Sequence, residues 1–147
     1  MRAKVLNESG GRVFAVIFDI GEDPITGLTR FAEQQNLSAS SFTAIGAFSE
    51  ATLGYFDWEK KDYERIQVAE QTEVLALVGD IAVEAASGNK KVHAHVVLGK
   101  RDGAACGGHL LAAKVRPTLE VVLTESPSHL KRVHDPESGL ALIRIGA

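Results

Sequence analysis

Three histidines stand in a pattern that can bind a metal ion. His93 and His95 alternate along the apolar stretch KVHAHVVLGK, and His109 follows two glycines in CGGHLLAAKV. Successive side chains of a strand point to opposite faces, so His93 and His95 share one face, about 7 Å apart along the chain. A hairpin returning through residues 103–108 could bring His109 beside them. Three converging imidazoles predict a Zn²⁺ site whose fourth position is open to water or a substrate.

The alternative is a hydrogen-bonded structural cluster, because a histidine on a strand is usually a half-buried polar residue with a partner. Two histidines on one face repel each other when both are protonated, which is costly without an anion or a metal. Metal or ligand binding by His93, His95 and His109 is therefore the preferred interpretation. His129 and His134 lie among polar and charged residues and are interpreted as solvated loop residues.

Composition restricts the class of protein. The 147 residues suit a single domain spanning 1–147. A net charge of -3 opposes a protein wrapped broadly on a nucleic-acid backbone, which needs a basic face. Cys106 is the only cysteine, so an intramolecular disulfide is excluded. Its small neighbours favour a structural role over a reactive or ligating thiol. The chain shows no signal-peptide core or membrane-spanning run, so we expect a cytoplasmic protein without a membrane partner.

Local patterns predict the elements that position the histidines. RAKVLNES and RVFAVIFDI are typical of two strands joined at Gly10-Gly11. Asp23 can cap a helix that has Pro24 at its first position and runs to about Asn36. Beyond Ser41 the apolar period becomes two. The predicted strands are FTAIGAFSEATLGYF (one long strand or a bent pair), ERIQVAE, EVLALVGDIAVE, the histidine strand, HLLAAKV, TLEVVLTES and LALIRI.

Glycines and a proline mark irregular points in these strands. Gly46 and Gly54 are candidates for bulges or close backbone approaches, and Gly79 is a candidate for a further bulge. Pro117 belongs at a strand start or an edge, since it cannot donate to a central ladder. The result is an α+β domain with one main helix and eight or nine strands, mainly antiparallel, in a twisted sheet that could curl into a barrel-like sheet.

The order of three stretches supports a family resemblance. AIGAFSEATLGYFD, EVLALVGDIA and VHAHVVLGKRDGAACGGHLLAAKVRPTLEVVL together resemble the plants-and-prokaryotes conserved (PPC) domain over nearly the whole chain. The most specific element is H-A-H followed, after thirteen residues, by H within G-G-H-L. The resemblance implies an α+β domain that assembles as a homotrimer. In plants the domain accompanies AT-hooks in nuclear DNA-binding proteins, and many bacterial single-domain members carry a DNA-binding label by inheritance.

Two departures from the family pattern bear on function. The chain has no R-G-R-P hook, the part that reads the A·T minor groove in the plant proteins. Where plant members have Arg-Phe-Glu, this chain has Gln71-Thr72-Glu73, so only Glu73 carries over. The His-x-His…His pattern is also similar to the zinc site of acetolactate decarboxylase, although its second spacing is longer here.

Two functions follow as hypotheses. The first is a stand-alone PPC-domain protein with a three-histidine zinc site and a regulatory role, whose DNA binding is weak because of the negative charge. The alternative is a metal-dependent lyase or hydrolase acting on a small polar ligand, since an open metal position can acidify water or polarise a carbonyl. That reaction needs an acid or base, for which Glu120 in TLEVVL is a candidate; the other interpretation of Glu120 is an ordinary solvated carboxylate.

Overall fold

The computed structural model describes residues 1–7, 9–126 and 130–145; the prediction for His129 lies outside these ranges. The described residues form nine strands and one helix. In chain order the elements are β1 (Arg2–Asn7), β2 (Val13–Phe18), α1 (Pro24–Gln34), β3 (Ala39–Asp57), β4 (Asp62–Val68), β5 (Thr72–Glu84), β6 (Lys90–Gly99), β7 (Ala105–Glu125), β8 (Lys131–His134) and β9 (Ala141–Arg144).

All nine strands belong to one sheet. Its main path runs β1-β2-β7-β3-β5-β8-β9, while β4 pairs with β3, and β6 pairs with both β5 and β7. Every described pair is antiparallel except β5 with β8, which is parallel. The mainly antiparallel sheet with one helix is therefore confirmed. The expected barrel-like sheet does not close into a true barrel, because β1, β4 and β9 keep free edges among the described residues.

Helix α1 begins where the sequence predicts. The Asp23 carboxylate accepts a hydrogen bond from the Thr26 backbone N–H at 2.8 Å, and Pro24 occupies the first turn. The apolar side of the helix is buried, and Phe31 packs edge-on against Phe14 of β2 with ring centroids 5.2 Å apart. The helix ends at Gln34, two residues before the predicted end, because Asn36 takes a left-handed φ of 52°.

Strand β7 corrects the predicted strand boundaries. HLLAAKV and TLEVVLTES were expected as separate strands, yet they form one continuous strand, and Pro117 lies within it. The β3–β7 register shifts at this point: Gly46 pairs with Leu119 and Phe48 with Val115, so two steps along β3 match four along β7. Pro117 therefore sits in an irregular part of the ladder, where its missing N–H is tolerated.

Glycines permit close backbone approaches at the predicted points. Gly46 has a φ of 152° and lies at a register shift, which confirms the bulge. Gly79 is a close approach rather than a bulge, since a Cβ there would lie 2.4 Å from the carbonyl oxygen of His93. The register shift of β5 falls instead between Val74 and Ala76. No helix among the described residues is long and apolar enough to cross a membrane.

Candidate metal centre

Strand pairing brings the three predicted histidines together. His93 and His95 lie on β6, and the intervening Ala94 is buried on the opposite face, as strand alternation predicts. Strands β6 and β7 form a hairpin in which His95 pairs directly with His109. The glycine-rich segment before His109 thus places the third imidazole on the face that the other two share.

The three rings form a compact cluster. Ring centroids are 5.1 Å apart for His93 and His95, 5.1 Å for His93 and His109, and 5.4 Å for His95 and His109. One possible ligand atom from each ring lies within 4.8 Å of the others. The Nε2 atoms of His93 and His95 are 3.2 Å apart, close to the roughly 3.3 Å between two nitrogens bound to one tetrahedral Zn²⁺.

Burial keeps part of the cluster neutral. Desolvation, together with the neighbouring His93 and His95, lowers the pKa of His109 to about 4. Desolvation, followed by the charge of His93, also lowers the pKa of His95 below its ordinary value. Neutral imidazole is the form that binds metal ions, so these two rings present lone pairs at neutral pH.

The ion pair between Asp80 and Arg132 supports His93 on the side of its Nδ1 atom. Asp80 is the register partner of His93 on β5, and its Oδ2 lies 3.5 Å from Nδ1 of His93. Arg132 of β8 donates to Asp80 Oδ1 at 2.6 Å and to the carbonyl of Ala141 at 3.1 Å. Burial raises the pKa of Asp80, but its interactions with His93 and Arg132 outweigh this, so the pKa falls below its ordinary value. Such a carboxylate orients the ring and leaves Nε2 facing the cluster.

Three aromatic side chains lie on one side of the histidine cluster. Tyr63 of β4 stacks on His109 with ring centroids 4.6 Å apart. Phe56 packs against Tyr63 at 5.3 Å, and Trp58 lies next to Phe56 at 6.4 Å. Burial raises the pKa of Tyr63, so its hydroxyl stays protonated. The β3–β4 hairpin thus fixes His109 through ring stacking.

A cavity of about 430 Å³ opens beside the cluster. It reaches His93 and His109, and Tyr63 forms part of its wall. The remaining lining comes from charged and apolar side chains of β5, β6, β8 and the segment around β9, namely Glu84, Lys91, Val92, Arg132, Leu140, Ala141 and Leu142. A metal held by the three imidazoles therefore has space for a further ligand.

The other residues considered from the sequence lie elsewhere. Glu120 is exposed on β7 and pairs with Ile45 of β3, with β3 and β5 between this part of β7 and strand β6. That separation is about 14 Å across the sheet. Cys106 is a half-buried free thiol that packs against the core. His134 is exposed, as expected, but ends strand β8 instead of lying in a loop.

The sequence predictions missed three supporting residues: Asp80, Arg132 and Tyr63. Asp80 could have been noticed in the sequence, because it is an acidic residue inside the apolar run EVLALVGDIAVE on the strand before the histidines. Tyr63 and Arg132 carry no comparable local signal, because they reach the site through β4 and through the parallel pairing of β8.

Comparison with known proteins identifies the family. The model of the Plants and Prokaryotes Conserved (PCC) domain, also abbreviated PPC, matches residues 6–127. The chain belongs to this family. The resemblance expected from the H-A-H…G-G-H-L pattern is thereby confirmed. A search of the curated proteins finds no match.

Solved structures share the PPC fold. A PPC protein from Pyrococcus horikoshii is 30% identical, with a TM-score of 0.85 and 92% of each chain covered. A metal-containing protein from Archaeoglobus fulgidus is 34% identical, with a TM-score of 0.84, covering 97% of this chain and 99% of that one. A "putative DNA-binding protein" from Ralstonia eutropha is 26% identical, with a TM-score of 0.85, covering 97% and 96%.

The similarity to acetolactate decarboxylase is more distant. The enzyme from Bacillus subtilis is 12% identical, with a TM-score of 0.57, and the match covers 87% of this chain but 58% of the enzyme. At this identity the likeness shows a shared fold alone.

Proposed function

We propose that this PPC-domain protein is a metal-binding protein in which His93, His95 and His109 hold one Zn²⁺. The observation that carries the proposal is the convergence of the three rings, which bring one possible ligand atom each to within 4.8 Å of one another. In addition, Nδ1 of His109 is buried and has no hydrogen-bond partner among the described residues. An unpaired buried polar atom costs about 1–3 kcal/mol.

Hydrogen bonding within the cluster explains only two of its rings. With the proton of His93 on Nδ1, toward Asp80, its Nε2 can accept a hydrogen bond from Nε2 of His95 at 3.2 Å. His109 gains nothing from this arrangement. Coordination instead uses a lone pair from every ring, so it fits the complete cluster better than the hydrogen-bonded alternative does.

The chemistry of the donors favours zinc. Imidazole suits Zn²⁺ well, whereas Mg²⁺ and Ca²⁺ require oxygen ligands, and the candidate ligands in the described part of the chain are histidines alone. The metal-containing protein from A. fulgidus, 34% identical over nearly the whole chain, adds independent support. Bound Zn²⁺ would supply a Lewis acid facing the cavity.

Metal analysis of untagged protein tests the proposal. After removal of metal with a chelator, titration calorimetry with ZnCl₂ should give one Zn²⁺ per chain, and elemental analysis after dialysis should agree. His93→Ala should abolish binding. His109→Phe should also abolish it while keeping a ring beside Tyr63, and the metal-free variant should be at least as stable as wild type, because the unpaired nitrogen is gone. Substoichiometric binding, or full binding by His93→Ala, would refute the site.

A second proposed function is weak, salt-sensitive DNA association. The similarity to the R. eutropha protein supports it. The net charge of -3 per chain limits the affinity, because phosphates are repelled unless the cations are segregated. Fluorescence anisotropy with a labelled duplex should show binding at 50 mM salt that is lost by 200 mM. Nanomolar, sequence-specific binding at physiological salt would contradict the expectation of weak binding.

We also propose that the chain assembles as a homotrimer, as the family resemblance implies. Its support in this molecule is an apolar patch on the outer face of the sheet, formed by residues that are 43–61% exposed: Ile45, Leu75, Val78, Val97 and Val122. Exposed apolar patches of this kind mark association surfaces, and a second copy of the chain is the occupant we expect. Light scattering should give three times the chain mass of 15.7 kDa.

The alternative to a purely binding role is a metal-dependent enzyme, which the cavity beside the histidines favours. Such a reaction requires a group that transfers a proton. Within one chain Glu120 lies too far across the sheet to reach the cluster, so a catalytic role for it would depend on a neighbouring copy. Tyr63 is a candidate proton donor in the cavity wall, since its ring stacks on His109 and burial raises the pKa of its hydroxyl.

A further inference from the structure

We propose that the cavity beside the histidines binds a small monocarboxylate with an apolar chain, whose carboxylate takes the open position on the metal. This inference rests on the proposed metal site and names the class of ligand that the site selects. Three features of the described residues support it: the charges around the cavity, its apolar wall, and the ion pairs that engage the two cations of its lining.

Charge around the metal favours an anionic ligand. The histidines ligate in their neutral form, so they leave the two positive charges of Zn²⁺ uncompensated. The charged side chains nearby are already matched in pairs: Arg132 with Asp80 at 2.6 Å, and Lys91 with Glu84 at 3.8 Å. These pairs contribute little net charge. A half-buried dication with no protein carboxylate attached is stabilised by an anion at its open position.

The apolar part of the cavity lining favours an apolar body on that anion. Leu140 and Leu142 line the cavity, and Leu142 is 38% exposed. The ring of Tyr63 adds further apolar surface. Contact with an alkyl chain would remove these surfaces from water, at about 0.8 kcal/mol for each CH₂ that becomes buried. A fully hydrophilic anion would leave the wall in contact with water.

The same lining disfavours phosphate as the ligand. A dianionic phosphate normally needs several N–H donors or free cations around it. Here the Arg132 side chain is only 9% exposed, its two terminal nitrogens donate to Asp80 and to the Ala141 carbonyl, and its remaining donor, Nε, is buried. Lys91 has Glu84 beside it. A single carboxylate needs only the metal as a partner for its charge, so the rest of the ligand can contact the leucines.

Cobalt-substituted protein provides the test, because the visible spectrum of Co²⁺ reports changes in its ligands without an activity assay. Hexanoate, acetate, hexanol and inorganic phosphate are titrated separately into the Co²⁺-loaded protein. Hexanoate should change the spectrum and bind about tenfold or more tightly than acetate, because its four extra CH₂ groups contact the wall. Hexanol should not bind, since it lacks the charge. Equal affinities for hexanoate and acetate, or tighter binding of phosphate, would overturn the inference.

Two leucine variants locate the apolar contact. Leu142→Ser should weaken hexanoate binding by about fivefold and leave acetate unchanged. Leu6→Ser is the matched control, since Leu6 is an exposed leucine of β1 that lies outside both this cavity and the apolar patch, and it should leave both affinities unchanged. An unchanged hexanoate affinity in Leu142→Ser would show that the ligand does not occupy this cavity.

The outcomes separate this inference from the proposed metal site. Bands of four-coordinate Co²⁺ that do not respond to hexanoate would overturn the carboxylate inference alone. Failure of Co²⁺ and Zn²⁺ to bind at all would overturn the metal site, and the carboxylate inference with it.

Discussion

Asp80 links the metal centre to the C-terminal part of the sheet, and Asp80→Asn should separate its two roles. The substitution keeps the shape of the side chain but removes the charge that faces both Nδ1 of His93 and the guanidinium of Arg132. We expect a weaker metal site and a lower free energy of unfolding of the metal-free protein. The two effects arise from different contacts and can be measured separately.

The geometry gives a magnitude for each effect. Removing a partner behind a ligating histidine typically weakens metal binding by about 10–100-fold. The contact between Asp80 and His93 is long, at 3.5 Å, so we expect the lower end, about tenfold or 1.4 kcal/mol. Breaking a buried ion pair costs about 3–5 kcal/mol, but Asp80 is 28% exposed, and solvent screening reduces the loss with Arg132 to about 2 kcal/mol.

Two measurements on the same preparation check these values. Zinc affinity is measured by competition with a chromophoric chelator at pH 7.5, and the stability of the metal-free protein by urea unfolding. Glu33→Gln, at an exposed position of helix α1, is the control and should change neither quantity. Wild-type zinc affinity in Asp80→Asn, accompanied by the loss in stability, would show that Asp80 supports Arg132 only and does not orient His93.

Three further predictions follow from local geometry. Gly79→Ala should lower the free energy of unfolding by about 2–3 kcal/mol in urea, because the new Cβ would lie 2.4 Å from the carbonyl of His93 and push β6 from β5; a loss below 0.5 kcal/mol, on the order of a neutral surface change, would contradict this. Bonds from Arg12 lower the pKa of Glu125, so the carboxylate stabilises the fold above its ordinary pKa of 4.5 and loses that contribution as the pH falls through the folded pKa. Glu125→Gln should therefore be less stable than wild type by about 1 kcal/mol at pH 7 in urea unfolding, with the difference shrinking as the pH falls below 4.5 and through the folded pKa; a difference that stays constant into acid pH would refute it. Val122→Lys should reduce the mass measured by light scattering toward that of one chain, since a charge in the apolar patch opposes association; an unchanged mass would place the interface elsewhere.

Local chemistry predicted the fold where the determinants lie close together in the sequence. The start of helix α1 depends on Asp23 and Pro24, and the structure places it there. The strand boundary expected at Pro117 was wrong because a proline signal is local, whereas the continuity of β7 depends on its pairing with β3. The sequence predicted a barrel-like sheet but could not tell that it stays open, because periodicity identifies strands but not which of their edges remain free.

The residues of the candidate site also differ in how well the sequence predicts them. Strand alternation places His93 and His95 on one face, and the glycine-rich hairpin explains His109. Asp80 could have been found by folding the hairpin at SGNKK, which sets it opposite His93. Arg132 could not, because β8 joins β5 through a parallel pair that connects residues about fifty positions apart, and no local pattern specifies such pairing.

The apolar stretch LALIRI shows what hydrophobicity alone leaves undetermined. Its pattern predicted a strand, and β9 forms, but Leu142 remains partly exposed and lines the cavity instead of the core. Alternating apolar residues indicate that a face needs an apolar partner, and a bound ligand can supply that partner as well as another strand can. Arg132 of β8 contacts both Asp80 and the carbonyl of Ala141 on β9. It therefore joins β9, which carries Leu142, to the carboxylate that faces His93. If the proposed ligand packs on Leu142, it therefore contacts the strand that Arg132 joins to the carboxylate facing the candidate ligand His93.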